Sequence, residues 1–253
     1  MTRNLKITIQ YDGTDYVGWQ RQDSGVSIQG LLEDALAPIE GTRAVVHGAG
    51  RTDAGVHAIE QVATVALEAA IEPATLVRAL NAVLPPDVRV LAAQEVDARF
   101  HARFSATGKV YEYRFVNAPF VSPFLYKYAW HIAQPIDVDA MREASGQLVG
   151  LHDFAAFQGA GSPVASTARS VRSIVWEPGE GCDVPLVMRI EGDGFLRHMV
   201  RNIAGTLADI GAGRWPPSRM AEILASRDRG HAGRTAPPQG LFLVRVLYGA
   251  ARV

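Results

Sequence analysis

Cysteine is all but absent: one residue, Cys182, in a chain of 253. A lone thiol rules out an internal disulfide and offers no thiolate pair for a metal, which fits a reducing cytosol. Lysine is nearly as scarce, since only Lys6, Lys109 and Lys127 stand among the 25 basic residues. The positive charge is therefore almost wholly guanidinium, a group suited to bidentate contacts with phosphate and carboxylate. No apolar run approaches the ~20 residues needed to cross a bilayer. Residues 1–10 alternate polar and apolar side chains instead of setting a basic end before an apolar block, so neither a membrane span nor a secretory leader is expected. There is no excess of positive charge either: the formal net charge of −1 excludes a protein that grips nucleic acid by overall basicity. Three nucleotide and hydrolase signatures are missing as well. No Gly-Lys-Ser/Thr forms a P-loop, no third glycine completes Gly48-x-Gly50 into a dinucleotide fingerprint, and no Gly-x-Ser-x-Gly elbow presents a serine.

What is present is enough for a sizeable core, with 48% hydrophobic residues. Residues 5–11 alternate at period two and run into Asp12-Gly13, which predicts a strand ending in a turn. A polar, glycine-bearing stretch follows, and then Ser27 as N-cap of a helix over 28–39. Strands are expected over 43–47 and 59–67, a helix from Pro73, and a strand over 87–96. This is the β-α-β-β-α-β order of a ferredoxin-like unit. The order returns in strand 110–116, helix 137–148, strands 171–177 and 186–191, helix 195–210 and strand 241–248, with an extra helix over 217–226. The expected architecture is α+β: two ferredoxin-like halves, 1–106 and 107–253, with their sheets side by side and a central catalytic cleft. Residues 159–166 read as an exposed loop. Basic residues gather at 99–114, at 197–201 and at 214–234, and acids at 33–40 and 177–193, so a near-neutral chain can still present a basic face.

The densest chemical signal is Gly48-Ala-Gly-Arg-Thr-Asp-Ala-Gly-Val-His57, a glycine-bearing loop between two expected strands. Glycines let such a loop bend sharply and approach a ligand. Taken alone, Asp53 can equally be a turn former that bonds its own backbone, with Arg51 its solvated partner. His47, Asp53, His57 and His101 supply metal-ligand types, but their spacing matches no familiar zinc or facial-triad pattern, and no metal is expected. This chain lacks the aromatic Lys/Arg-Gly-Phe-Gly-Phe-type strand of modules that only bind RNA on ferredoxin-like sheets.

The loop closely resembles the active-site motif of the tRNA pseudouridine synthase A family. Tyr11-Asp-Gly-Thr with Gly18-Trp-Gln and Gln22 resembles that family's N-terminal loop. Phe100-His-Ala-Arg-Phe-Ser-Ala-Thr before Val110-Tyr-Glu-Tyr, His152-Asp-Phe, Phe195-Leu-Arg-His-Met-Val-Arg-Asn-Ile and Thr235-Ala-Pro-Pro-Gln-Gly-Leu-Phe-Leu-Val follow in the family's order. The resemblance implies a cofactor-free isomerase of tRNA positions 38, 39 and 40 in the anticodon arm, a cytoplasmic homodimer in which one tRNA touches both subunits. It makes Asp53 the catalytic carboxylate, Arg201 the cation beside it, Arg51 the residue associated with base extrusion, Tyr111 the ring that stacks on the target uracil, and Leu241 the opposite apolar wall. Trp19, Arg21, Gln22, His57 and Arg197 are then candidate substrate contacts. Lys109 and Arg234 depart from the family pattern, where arginine and proline are common; both keep or add positive charge.

Overall fold

The computed structural model describes residues 2–161 and 164–249. The chain divides into two compact units, Met1–Thr107 with Phe242–Val253, and Gly108–Leu241. The elements are those of an α+β protein, with five α-helices and a large share of strand among the described residues.

The first unit begins with β1 (Arg3–Tyr11), whose Leu5, Ile7, Ile9 and Tyr11 point inward at period two. Helix α1 (Ile28–Glu40) is capped as expected: Ser27 Oγ accepts the Gly30 N–H at 3.2 Å, and Gly41 closes the helix at φ 77°. Its Ile28, Leu32 and Leu36 are buried. After β2 (His47–Gly48) and β3 (His57–Leu67) comes α2 (Pro73–Val83), opened by Pro73 and buried through Leu76 and Leu80, then β4 (Val88–Val96). β1 lies between β4 and β3, antiparallel to both, and β2 pairs antiparallel with β3 along its other edge. That is the strand arrangement of a β-α-β-β-α-β unit.

The strand expected over 43–47 is a correction. Only His47 and Gly48 pair with β3. Upstream, side chains of α1 take the backbone groups instead: Val46 N–H donates to Glu33 Oε1 at 3.2 Å, and Val46 O accepts Gln29 Nε2 at 3.2 Å. Glu33 also receives Arg21 and Arg43 at 3.0 and 2.9 Å. Burial opposes its charge, but the bonds from Arg43, Val46 and Gln29 outweigh it and hold the carboxyl below its ordinary range.

The second unit contains β5 (Ala106–Asn117), β6 (Trp130–Ile132), α3 (Val138–Gly146), β7 (Gly150–Asp153), β8 (Ala168–Glu177), β9 (Leu186–Gly192), α4 (Met199–Gly211) and α5 (Arg219–Ser226). β5, β9, β8 and β7 pair antiparallel in that order, and β6 joins β5 in parallel. β6 and β7, at three and four residues, are too short to show a period and were not expected. Residues 159–161 and 164–166 lie outside regular structure; the rest of the expected loop falls outside the described residues. The last strand, β10 (Leu241–Tyr248), returns to the first unit from Phe242, pairing in parallel with β3 through Phe242 to His57 and Leu243 to Ala58.

Helix α4 begins four residues later than expected because His198 has φ 60°, a left-handed conformation that no helix interior accepts. Arg197 therefore lies outside the helix that carries Arg201, and the two do not share a helical face. α4 is buried almost all round. Its Asn202 Oδ1 accepts Thr235 Oγ1 at 2.6 Å and Arg229 at 3.1 Å, and Thr206 Oγ1 accepts the Gly233 N–H at 2.9 Å. Arg214 and Arg234 both pair with Asp209, so much of the basic cluster at 214–234 is engaged internally. No helix among the described residues is long and apolar enough to cross a membrane.

Residues 229–236 lie so close to α4 that a Cβ at Gly205 would stand 1.7 Å from Arg234 O. Backbone cannot yield as a side-chain end can. Gly205→Ala should therefore lower stability by about 3 kcal/mol, at the upper end of overpacking penalties, read as a drop in the urea midpoint; an unchanged midpoint would show that residues 229–236 do not bear on the helix.

Candidate active site

The Arg51-Thr-Asp53 loop rests on a buried polar floor. Thr52 Oγ1 and Tyr11 Oη share a hydrogen bond of 2.8 Å, and Gln61 Nε2 reaches Gly50 O at 2.9 Å and Tyr11 Oη at 3.4 Å. All three side chains are buried. The loop is also stitched to residues 13–19 through the backbone, by Trp19 N–H to Thr52 O at 3.0 Å and Gly55 N–H to Tyr16 O at 3.4 Å. Gly18, at φ +103°, lets this approach happen: a Cβ there would lie 2.5 Å from Thr52 O and 3.0 Å from the Asp53 carbonyl carbon. Gly13 does the same on the far side of the loop, where a Cβ would sit 2.0 Å from Val56 O. Val56 N–H closes the turn on Asp53 O at 3.1 Å. The result is a rigid apex on which Arg51 is exposed and Asp53 half-buried.

The other candidates of the first unit are placed differently. Trp19 is 2% exposed, its ring against Gly48, where an added Cβ would meet it at 2.4 Å. It packs beneath the loop and offers no open stacking surface. His57 is 1% exposed and stacked on Phe242 with centroids 4.5 Å apart. A proton on its Nδ1 would be donated to Asp12 Oδ1, 3.0 Å away; without it the lone pair takes the Gly13 N–H, also at 3.0 Å. Either way His57 supports the loop from below. Arg21 is held against α1 by Glu33 at 3.0 Å, Asp34 at 2.5 Å and Gly30 O at 3.2 Å. Gln22 is exposed and ties its loop through Val17 O at 2.9 Å. His47, Asp53, His57 and His101 do not gather into a metal-holding set; no group of three or more such side chains occurs among the described residues.

In the second unit, Tyr111 and Tyr113 have separate environments. Tyr113 is fully buried and its hydroxyl donates to Pro237 O at 2.7 Å. Burial pushes its phenol well above the ordinary range, and nearby Arg201 acts against that. Tyr111, nearly buried, meets Phe195 edge-on at 5.1 Å. Arg201 Nε donates to Ala236 O at 2.8 Å and receives the Ala236 N–H on its own carbonyl at 3.1 Å. Arg201 and Tyr113 thus clamp the segment that leads through the 3-10 turn Pro238–Gly240 to Leu241, which is buried. Arg197 is exposed, with Nη1 on Ala160 O at 2.9 Å.

The family model described as tRNA pseudouridine synthase matches residues 7–105 and 144–249. The chain belongs to the tRNA pseudouridine synthase family. A relative from Thermoanaerobacter sp. (strain X514), named tRNA pseudouridine synthase A, is 43% identical over 246 residues, covering 97% of this chain and 100% of the relative. Proteins of the same name from Myxococcus xanthus and Solidesulfovibrio magneticus are 48% and 46% identical, over 96% and 98% of this chain and 91% and 92% of their own lengths.

The loop of this pseudouridine synthase family member is held by Tyr11, Gly13, Gly18 and Thr52, which stand in the quoted motifs without an assigned role, and by Gln61, which the sequence did not single out. Gln61 left a signal, since it is a polar side chain at a buried position of β3. Burial pushes the Tyr11 phenol up to about 12, with the bonds to Thr52 and Gln61 acting against the rise. A folded value above the ordinary 10.0 means that the folded chain keeps the proton where the unfolded chain releases it. This contribution is intact below pH 10 and is lost as pH rises from 10 to about 12. In that window wild-type stability should fall more steeply than that of Tyr11→Phe, by up to about 1.4 kcal/mol per pH unit, in urea titrations run from pH 10 to 12. Parallel curves would mean that the phenol is not held neutral by the fold.

Proposed function

We propose that this chain isomerises uridine to pseudouridine at positions 38, 39 and 40 in the anticodon arm of tRNA, with Asp53 as the catalytic carboxylate. The observation that carries the reading is the Arg-Thr-Asp apex of a family-matching loop, held by a buried hydrogen-bond floor with its carboxylate half-open. The reaction conserves atoms. The bond from N1 to C1′ breaks, the base turns, a bond from C5 to C1′ forms, and the proton of C5 is replaced by one on N1. A fixed carboxylate serves such chemistry by attack on the sugar or by taking a proton from it. The rigid apex supplies the orientation that either route requires.

In this reading Arg51 helps extrude the target nucleotide, Tyr111 stacks on the uracil, Leu241 provides an apolar wall and Arg201 balances the carboxylate charge. Extruding a base from a stem costs a few kcal/mol, so stacking surfaces and a filling side chain suit the task. Exposed Arg197 and Gln22 are proposed as outer contacts to the RNA. The reading also makes the protein a cytoplasmic homodimer, in which two copies present their scattered basic residues to one tRNA; this offsets the low net charge.

Asp53→Asn should leave tRNA binding within about threefold of wild type and reduce pseudouridine formation by at least ~10⁴-fold, as expected when the reacting group itself is removed; turnover near wild type would exclude Asp53 from the chemistry. Binding of tRNA should weaken steeply with salt, with log affinity falling by about 0.7 to 0.9 per phosphate contact for each unit of log salt. A flat response would remove the role given to the arginines.

A further inference from the structure

One side-chain cluster of the first unit lies where the catalytic loop leaves β2, away from its Asp53 apex. The rings of His47 and His101 stand 5.3 Å apart, and those of His101 and Phe104 4.5 Å apart. Arg103 lies over Phe104 at 5.7 Å. Phe104 is 78% exposed, although the turn that carries it is firmly built. His101 N–H donates to Ser105 Oγ at 3.0 Å and Ser105 N–H returns to His101 O at 2.9 Å. Ala102 is fully buried, with its N–H on Thr64 Oγ1 at 3.3 Å and its carbonyl on the Tyr248 hydroxyl at 2.8 Å. An exposed phenyl ring on a floppy loop can fold back; on a turn pinned at three points it is held out. Arg103 N–H donates to His101 Nδ1 at 3.1 Å, which keeps that nitrogen unprotonated and leaves Nε2 to carry the ring proton. The nearest acid along the chain, Asp97, is paired with Arg99 at 3.1 Å.

We propose that His47, His101 and Phe104 form a stacking platform for an unpaired base of the tRNA, with Arg103 beside it for the adjoining phosphate. This rests on the reading of tRNA as substrate and adds a contact point to it. The chemistry is that of sequence-tolerant single-strand recognition, in which an aromatic face takes any base and a cation tracks the backbone. The base held here is not the reacting one. His47 pairs with Thr64, seven residues along β3 from His57 at the catalytic loop's end, which is about 23 Å at the ~3.3 Å rise of a strand. The platform therefore sets where the RNA lies and leaves the chemical step alone.

The test uses the full chain with Phe104→Ala and Phe104→Trp, and reads direct binding of an unmodified tRNA transcript together with KM and kcat for pseudouridine formation. Loss of one base stack should raise Kd and KM together by about 5- to 140-fold in Phe104→Ala, with kcat at saturation unchanged and Phe104→Trp near wild type. Because Phe104 is exposed, neither change threatens the core. Wild-type binding by Phe104→Ala would overturn the proposal and assign the cluster to another partner. Equal weakening by alanine and tryptophan would overturn it too, since stacking would not be the cause. A wild-type chain that binds tRNA through Phe104 but forms no pseudouridine would sink the catalytic reading and leave this contact standing, whereas a chain that binds no tRNA would sink both.

Discussion

Two glycines set how closely residues 13–19 approach the loop at 52–56, and the candidate active site follows from that contact. With any side chain at Gly18 or Gly13, backbone would meet Cβ at 2.5 or 2.0 Å and the loop would have to lift. The backbone bonds from Trp19 to Thr52 and from Gly55 to Tyr16 would then open, and the Thr52 hydroxyl would leave Tyr11. A carboxylate that must reach one atom of a nucleoside needs a fixed apex, because small misplacements cost large factors in rate. The floor beneath it is polar, and the Tyr11 hydroxyl, the Thr52 hydroxyl and Gln61 Nε2 each have a partner, which is the condition under which buried polar groups add rigidity instead of strain.

Much of this was legible in the sequence where a local rule governs. The period-two run of β1, the Ser27 cap of α1, Pro73 at the start of α2 and the span of β10 follow from propensity and capping alone. The errors arise where a distant group competes. Residues 43–46 have strand-like side chains, but Gln29 and Glu33 of α1 capture both backbone groups of Val46. α4 looks continuous from Phe195, but His198 adopts a left-handed φ before it, which no periodicity reveals. The short strands β6 and β7 carry too few residues to show a pattern.

The candidate site was legible through its motifs more than its physics. Asp53 and Arg51 sit at the apex that the glycines suggested, but spacing alone could not separate a catalytic aspartate from a turn former. Trp19, Arg21 and His57, substrate contacts by resemblance, each have a structural place within the first unit. The first packs on Gly48, the second is held by α1, and the third lies under the loop against Phe242. Arginine usage has a similar division: Arg21, Arg43, Arg214 and Arg234 neutralise buried Glu33 and Asp209, so composition overstates the charge that reaches a ligand.

The most direct test is a position-by-position map of pseudouridine in tRNA from cells lacking this chain, complemented with the wild-type gene or with one encoding asparagine at position 53. The account predicts that the modification disappears at 38, 39 and 40, returns with the wild-type copy, and stays absent with the altered one. A map that is unchanged by the deletion, or restored equally by both copies, would contradict it.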